Sequence, residues 1–497
     1  MKRSDKKEAK KFKQECVRLS FLEGGIFSFH PHDLALIPEH QSLAKWAFEG
    51  LTRIDDHGTL VLAGAEKIEC SSCKKKYTIS LKANCYSDGT HVVAQDYEKA
   101  WKQALSLDSR CAKSMLLYPI KNAKKAKKGL CSVDEVGVSS LDDQTLVVEL
   151  DYPTPYFLEL LANPVFFPFK ETENGILGNG PYKIDKRDKD VLLTLTINPF
   201  FWAANEIQIK KISLAIIEDE NTAFCLYENG ELDFVGDPLS SLPHDALQFV
   251  KDRDDFYEKE ILRPYWVYLN RAYYPFSSPA IRRAFKMAID RDSVAKHILP
   301  GSLPLHHLLP TSISSYTPQT VEQNPVAEFE KGLKELNLTR KTFPPLTLNF
   351  PSYFLHKKLA SYLQQTWKNL FGIEVFLNLQ EFQTFFSEMQ RGTYEVGGMF
   401  HSLDYNDPFA ALELLISTDR YPNKWKDPLF TAAVETARVS DGPEKNEAVR
   451  KAEEILAEEL PVIPVTTQCI QYLCHPRLKG VVFNKSGILD LRWAYFD

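Results

Sequence analysis

No stretch of this 497-residue chain approaches the roughly 20 consecutive apolar residues that a membrane-crossing helix needs. The best candidate, FLELLANPVFFPF over residues 157–169, is short and interrupted by Asn163, Pro164 and Pro168. Serine-hydrolase elbows (GxSxG), HExxH and Walker sequences are missing, which removes the common signatures of those chemistries. No domain looks strongly basic, and a net charge of −6 over the whole length argues against a nucleic-acid partner. The cysteines number nine, an odd count without framework spacing. Cys70 and Cys73 form one CxxC, but a zinc site wants a second pair. A local disulfide or free thiols are the alternatives there. Cys469 and Cys474 lie five apart, so in a strand they face opposite sides. The N-terminal run MKRSDKKEAKKFKQE lacks the apolar core of a signal peptide. It fits either a cytosolic start or a mature chain without its export signal.

What is present is globular: 44% hydrophobic and 25% charged residues, in a chain long enough for two or three domains. Alternation predicts strands at CVRLSF (16–21), KKYTISL and QTLVVELD. SLAKWAFEGLTRID reads as a helix running into a turn at DDHG. Tyr97, Ala100, Trp101, Ala104 and Leu105 recur at helical spacing, which makes Trp101 a core residue. GNGPYKIDKRDKDVLLTLTINPFFW reads as a hairpin. Its glycines do not make a phosphate cradle, because no helix follows them. Ser278 and Pro279 mark a helix start. Beyond a Pro-rich connection, LPGSLPLHHLLPTSISSYTPQT, strands and helices alternate and imply a largely parallel, covered sheet. The first half is mixed and hairpin-rich, so a boundary falls near 260–270. His306-His307 reads as a surface feature, and His30 and His32 with Asp33 are weak evidence for a metal.

The stretch HSLDYNDPFAALELL, residues 401–415, carries the most chemistry. His401, Asp404 and Asp407 offer a metal site or an acid–base pair, and hence a metal-dependent hydrolase. Asp407-Pro408 before an apolar run is the grammar of a helix start, which commits Asp407 to backbone N–H groups. Asp404 has no such local task. It follows the buried-looking strand VGGMF at its C-terminal end, where open α/β sheets place ligands. Among His401, Tyr405, Phe400 and Phe409, its carboxylate suits a ligand ammonium, with an Asx-turn as the structural alternative.

Several stretches together resemble one family. FEGLTRIDDHGTLVLAGAE, YTISLKANCYSDGTHVVAQDYEKAWKQAL, the GNGPY hairpin, VYLNRAYYPFSSPAIRRAFKMAIDRDSV and DYNDP are similar, in the same order over nearly the whole chain, to the peptide-class (family 5) extracytoplasmic solute-binding proteins of ABC importers. Val93 and Tyr86 depart from the family's Thr and Trp, and CSSC is unusual.

The resemblance implies an α/β, periplasmic-binding-protein-like two-lobe fold (cluster C, type II) with an extra subdomain and a two-segment hinge. Lobe I is expected from 1–47, 176–261 and 470–497, the extra subdomain from 48–175, and lobe II from 262–469. It implies no catalysis, no cofactor and no metal. Asp404 would hold a peptide α-ammonium, and Ile37, Trp266, Phe382, His401, Tyr405 and Phe400 would line the cleft. His356 would lie near the peptide's C-terminal end. Met389 and Gly398 stand where some oligopeptide binders have basic residues, and Arg391 is the candidate to compensate. The implied partners are an oligopeptide, an ABC permease and its ATPase, for a monomer held at the extracytoplasmic face by a lipid anchor at most. Glutathione, a muropeptide, a nickel chelate or haem are alternative ligands for the same fold.

Overall fold

A computed structural model describes residues 15–22, 28–55, 57–173, 175–188, 191–314, 324–416 and 425–497. The basic run before residue 15 and residues 315–323, which include the end of the Pro-rich connection, lie outside the described residues. The described residues contain an eleven-stranded sheet whose two central strands are unusually long. Phe256–Leu269 spans 14 residues and Val462–Cys474 spans 13. They run antiparallel from Phe256 opposite Leu473 to Tyr268 opposite Val462, and the register slips between Glu260 and Pro264. Pro264 has no N–H for the ladder, so a break in pairing belongs there.

At one end of this pair, Val462–Cys474 joins Phe234–Gly236, and the sheet continues through Cys16–Phe21 and Lys211–Ile216 to the hairpin Tyr182–Asp188 with Leu192–Ile197. At the other end, Phe256–Leu269 joins Val396–Phe400, followed by Leu346–Pro351 and Val375–Gln380. These last three strands are parallel, as the alternation predicts. Their crossover helices, Phe354–Phe371 and Phe382–Arg391, each end on a left-handed glycine, Gly372 and Gly392.

Buried side chains collect on both halves of the sheet. One cluster holds Val17, Leu19, Leu214 and Ile470, and another holds Val267, Phe285, Leu348 and Trp367. A third, more extended cluster runs from Ile79, Trp101 and Phe157 into Tyr405, Phe409 and Leu412. It therefore ties the region around residues 77–169 to the segment that follows Val396–Phe400. Trp101 is fully buried, as its spacing predicts, and its indole N–H donates to Phe166 O at 3.0 Å. Val93 leaves the helix Ala94–Leu105 without a side-chain cap, but Asp96 still accepts from Val93 N at 3.0 Å. Ser278 caps the helix Pro279–Met287 as expected.

One helix differs from its sequence reading. The helix spans Pro38–Ala47 and stops at Phe48, and the chain becomes the strand Thr52–Ile54. The cause is tertiary. Asn179 of the GNGPY hairpin pairs with the peptide of Glu49 at 3.0 Å in both directions, taking the N–H and C=O that a helix would use. The flanking glycines permit this approach: a Cβ on Gly180 would lie 2.5 Å from Phe48 N. Gly180→Ala is expected to lower the unfolding free energy by about 1–3 kcal/mol, seen as a lower urea midpoint at unchanged slope.

Candidate functional site

The segment after Val396–Phe400 stays attached to the long central strand. His401 N donates to Pro264 O at 2.9 Å and Leu403 N to Leu262 O at 3.0 Å. Asp404 is therefore set at the strand's C-terminal end, beside the register slip. Its carboxylate is ion-paired with the ammonium of Lys113, and the two side chains are only 7% and 11% exposed. The sequence offered no partner for Asp404 because Lys113 is 291 residues away.

Asp407 behaves partly as the helix grammar predicts. One oxygen accepts from Phe409 N at 2.8 Å, ahead of the helix Phe409–Ile416, and the other is ion-paired with Lys445. His401 is buried, with Nε2 2.9 Å from the Tyr268 hydroxyl and its ring 4.6 Å from Trp266. The three residues of the hydrolase reading thus face three different partners. Among the described residues, no group of three or more His, Cys, Asp or Glu is placed to hold a metal. His30 and His32 lie against Phe169, and burial lowers both imidazoles, His32 to about 3. All nine cysteines are free thiols, Cys70 and Cys73 included. His306 is exposed and His307 half-buried, as the surface reading expects, and with Lys286 and Glu453 they line an open crevice of about 360 Å³.

The remaining candidates divide between faces. Trp266, Met389 and Tyr405 belong with the extended cluster, where Trp266 is fully buried and its indole donates to Leu308 O at 3.3 Å. Tyr405 stacks on Tyr156, with ring centroids 4.7 Å apart. The neighbouring Tyr265 points the other way, into the cluster of Val267 and Trp367, as strand alternation demands. There its hydroxyl meets His356 Nδ1 at 2.8 Å, and Phe400 packs edge-on to its ring. Burial, reinforced by Arg263, lowers His356 to about 4, so its imidazole is neutral at pH 7. Phe382 stacks on Phe386 at the start of its helix. Ile37 is half-buried, just before the helix Pro38–Ala47. Arg391 is exposed and donates to Ser387 O at 3.3 Å within its own helix. At position 398 a Cβ would meet the Phe350 ring at 2.5 Å, so packing leaves no room for a side chain.

Charged residues that carried no sequence signal complete the picture. An open crevice of about 580 Å³ is lined by Asp404, Tyr405 and Asn406 with Lys45, Glu159 and Lys485. Glu159 also accepts from Asn406 N at 2.9 Å. At the register slip the Arg263 guanidinium lies over Phe400, 5.4 Å from the ring centre. Glu39 and Asp237 attract it electrostatically. Burial pushes the Asp237 carboxyl up to about 7, against a hydrogen bond from Gln471 N and the pull of Arg263, with Glu39 adding to the rise.

The fold and the cleft-side strand end define a two-lobed solute-binding architecture, and comparison with known proteins places it further. Residues 59–423 match the family model described as bacterial extracellular solute-binding proteins, family 5 Middle. The oligopeptide-binding protein OppA of Bacillus subtilis is 32% identical over 495 residues, covering 95% of this chain and 91% of that protein. The periplasmic murein peptide-binding protein MppA of Escherichia coli is 29% identical and covers 95% of this chain and 91% of its own length. The solved structure of the E. coli murein tripeptide binding protein MppA superposes with a TM-score of 0.81 at 26% identity, covering 98% of this chain and 99% of that one. The chain belongs to the family 5 extracellular solute-binding proteins, a family of substrate-binding proteins and not of enzymes.

Two outcomes follow from these charges. Asp404→Asn strands the Lys113 ammonium in a nearly buried site, where losing one partner costs about 3 kcal/mol or more. Its melting temperature is expected to fall, and Lys113→Met in the same protein to restore most of the loss. For Asp237 the folded carboxyl holds its proton to higher pH than the unfolded chain does. Its stabilising contribution is therefore complete below the usual carboxylate range near 4 and is lost as pH rises to about 7. Asp237→Asn should gain in melting temperature over the wild type progressively across that window, and a gap independent of pH would refute the assignment.

Proposed function

We propose that the chain is the extracytoplasmic binding component of an ABC importer that captures peptides between its two lobes and passes them to a membrane permease driven by its ATPase. The observation that carries this reading is the position of Asp404, a carboxylate held at a strand end beside the two long central strands, in a family 5 chain alike over 95% of its length to a B. subtilis oligopeptide-binding protein. Asp404 is the seat for the ligand's α-ammonium. Ligand backbone pairs with strand-like segments of the cleft, which tolerates varied side chains. His401 and Trp266, already packed together, tune the amino-terminal pocket, with Tyr405, Phe400, Ile37 and Phe382 as further walls. His356 marks the other end.

Lobe I comprises 1–47, 176–261 and 470–497, the extra subdomain 48–175, and lobe II 262–469. The separate clusters around Leu19 and around Trp367 support the division of the sheet into two lobes. The protein works as a monomer without catalysis, cofactor or metal. It sits at the outer face of the membrane, held by a lipid anchor at most. Gly398 has no room for a carboxylate-binding side chain, and the exposed Arg391 is engaged within its own helix. This favours ligands whose carboxyl end is not gripped by a fixed cation, and it keeps a cell-wall peptide as a second reading beside the likeness to MppA.

Isothermal titration with peptides of two to five residues is expected to give dissociation constants of about 1 μM or tighter, roughly −8 kcal/mol, while free amino acids give no heat. Native mass spectrometry of the protein as purified should show carried-over peptide masses. Heat from none of the peptides would overturn the reading.

A further inference from the structure

We propose that Lys113 is a specificity-determining residue of this cleft: its ammonium occupies the anchoring carboxylate of Asp404, so a ligand bearing a free α-ammonium binds only by expelling it. The proposal rests on the reading of Asp404 as the ammonium seat.

The geometry suits an internal stand-in for a ligand. A lysine Nζ and a peptide α-ammonium carry the same charge and the same three donors. Lys113 belongs to the 48–175 subdomain and Asp404 to the 262–469 lobe, so the pair bridges two units of the chain at the proposed ammonium seat. The Lys113 backbone is fixed where Leu116 N donates to its carbonyl at 3.0 Å, opening a short helical turn whose Leu117 is fully buried. Its four-carbon stem is the flexible part, able to withdraw while the turn stays in place.

The pair is also not the sole tie between these faces. Tyr156 stacks on Tyr405, Asn406 N donates to Glu159, Arg438 covers Tyr152 at 4.1 Å, and Lys74 pairs with Asp441. Those contacts hold the interface without Lys113, so the lysine is placed to act on charge. Its consequence is a discrimination between ligands. A free amino end must compete with a lysine tethered beside the carboxylate, whereas an acylated or otherwise neutral amino end does not enter that competition.

The test is isothermal titration of wild type and Lys113→Met with tetra-alanine and N-acetyl-tetra-alanine. Removal of the competitor should tighten tetra-alanine binding at least tenfold and leave the acetylated peptide within threefold. Lys113→Gln serves as the second variant if Met perturbs folding. Acylation of surface amines followed by peptide mapping reads the displacement in the wild type itself. Labelling of Lys113 should rise at least threefold with saturating tetra-alanine and not with the acetylated form. Tetra-alanine affinity unchanged or weakened in both variants overturns the inference while leaving peptide binding intact. If neither peptide binds any of the proteins, the peptide reading fails and this inference falls with it.

Discussion

Everything else in the molecule hangs on two strands that run antiparallel through its centre. Phe256–Leu269 and Val462–Cys474 are each long enough to serve both halves of the sheet, so the halves are joined through one shared ladder. That ladder is weakest at Pro264, which supplies no N–H, and the register slips there. Around this point the structure gathers Arg263, Glu39 and Asp237, charges that an uninterrupted sheet interior would exclude. Leu403 and His401 return to the same strand at Leu262 and Pro264, so the candidate site is built on the place where the sheet changes register.

The second organising feature is the apolar cluster that crosses from the 48–175 segment to the residues around Tyr405 and Phe409. Burying aromatic faces there forces nearby charges into low-exposure positions, and each is answered. Asp404 meets Lys113, Asp407 meets Lys445, and Glu159 meets the Asn406 N–H. A buried carboxylate without such an answer would cost several kcal/mol. Withdrawing the Asp404 carboxylate from water thus recruits an internal lysine.

Much of this was legible in the chain. The strands CVRLSF and VGGMF, the helix start at Ser278-Pro279, the core role of Trp101 and the cap at Asp407 follow from local periodicity and capping chemistry, which act over a few residues. The helical pattern of SLAKWAFEGLTRID runs past Ala47, whereas the helix ends there because Asn179, a residue 130 positions from Glu49, takes the Glu49 peptide. The division of the candidate residues between two faces was likewise not apparent. Trp266 and Tyr265 are neighbours in one strand and so face opposite ways, and tertiary packing decides what covers each face.

The sequence by itself determined the family and the order of elements and singled out Asp404 as a candidate, because motifs and capping residues encode local geometry directly. Tertiary structure alone decided what that carboxylate touches. Lys113 lies in SRCAKSM, a stretch with no motif, and it reaches Asp404 only when the 48–175 segment packs its aromatic face against Tyr405. Charge pairing across 291 residues leaves no mark on periodicity or composition. It is fixed by which apolar surfaces must be buried together, and the ions are then matched within the space that packing leaves.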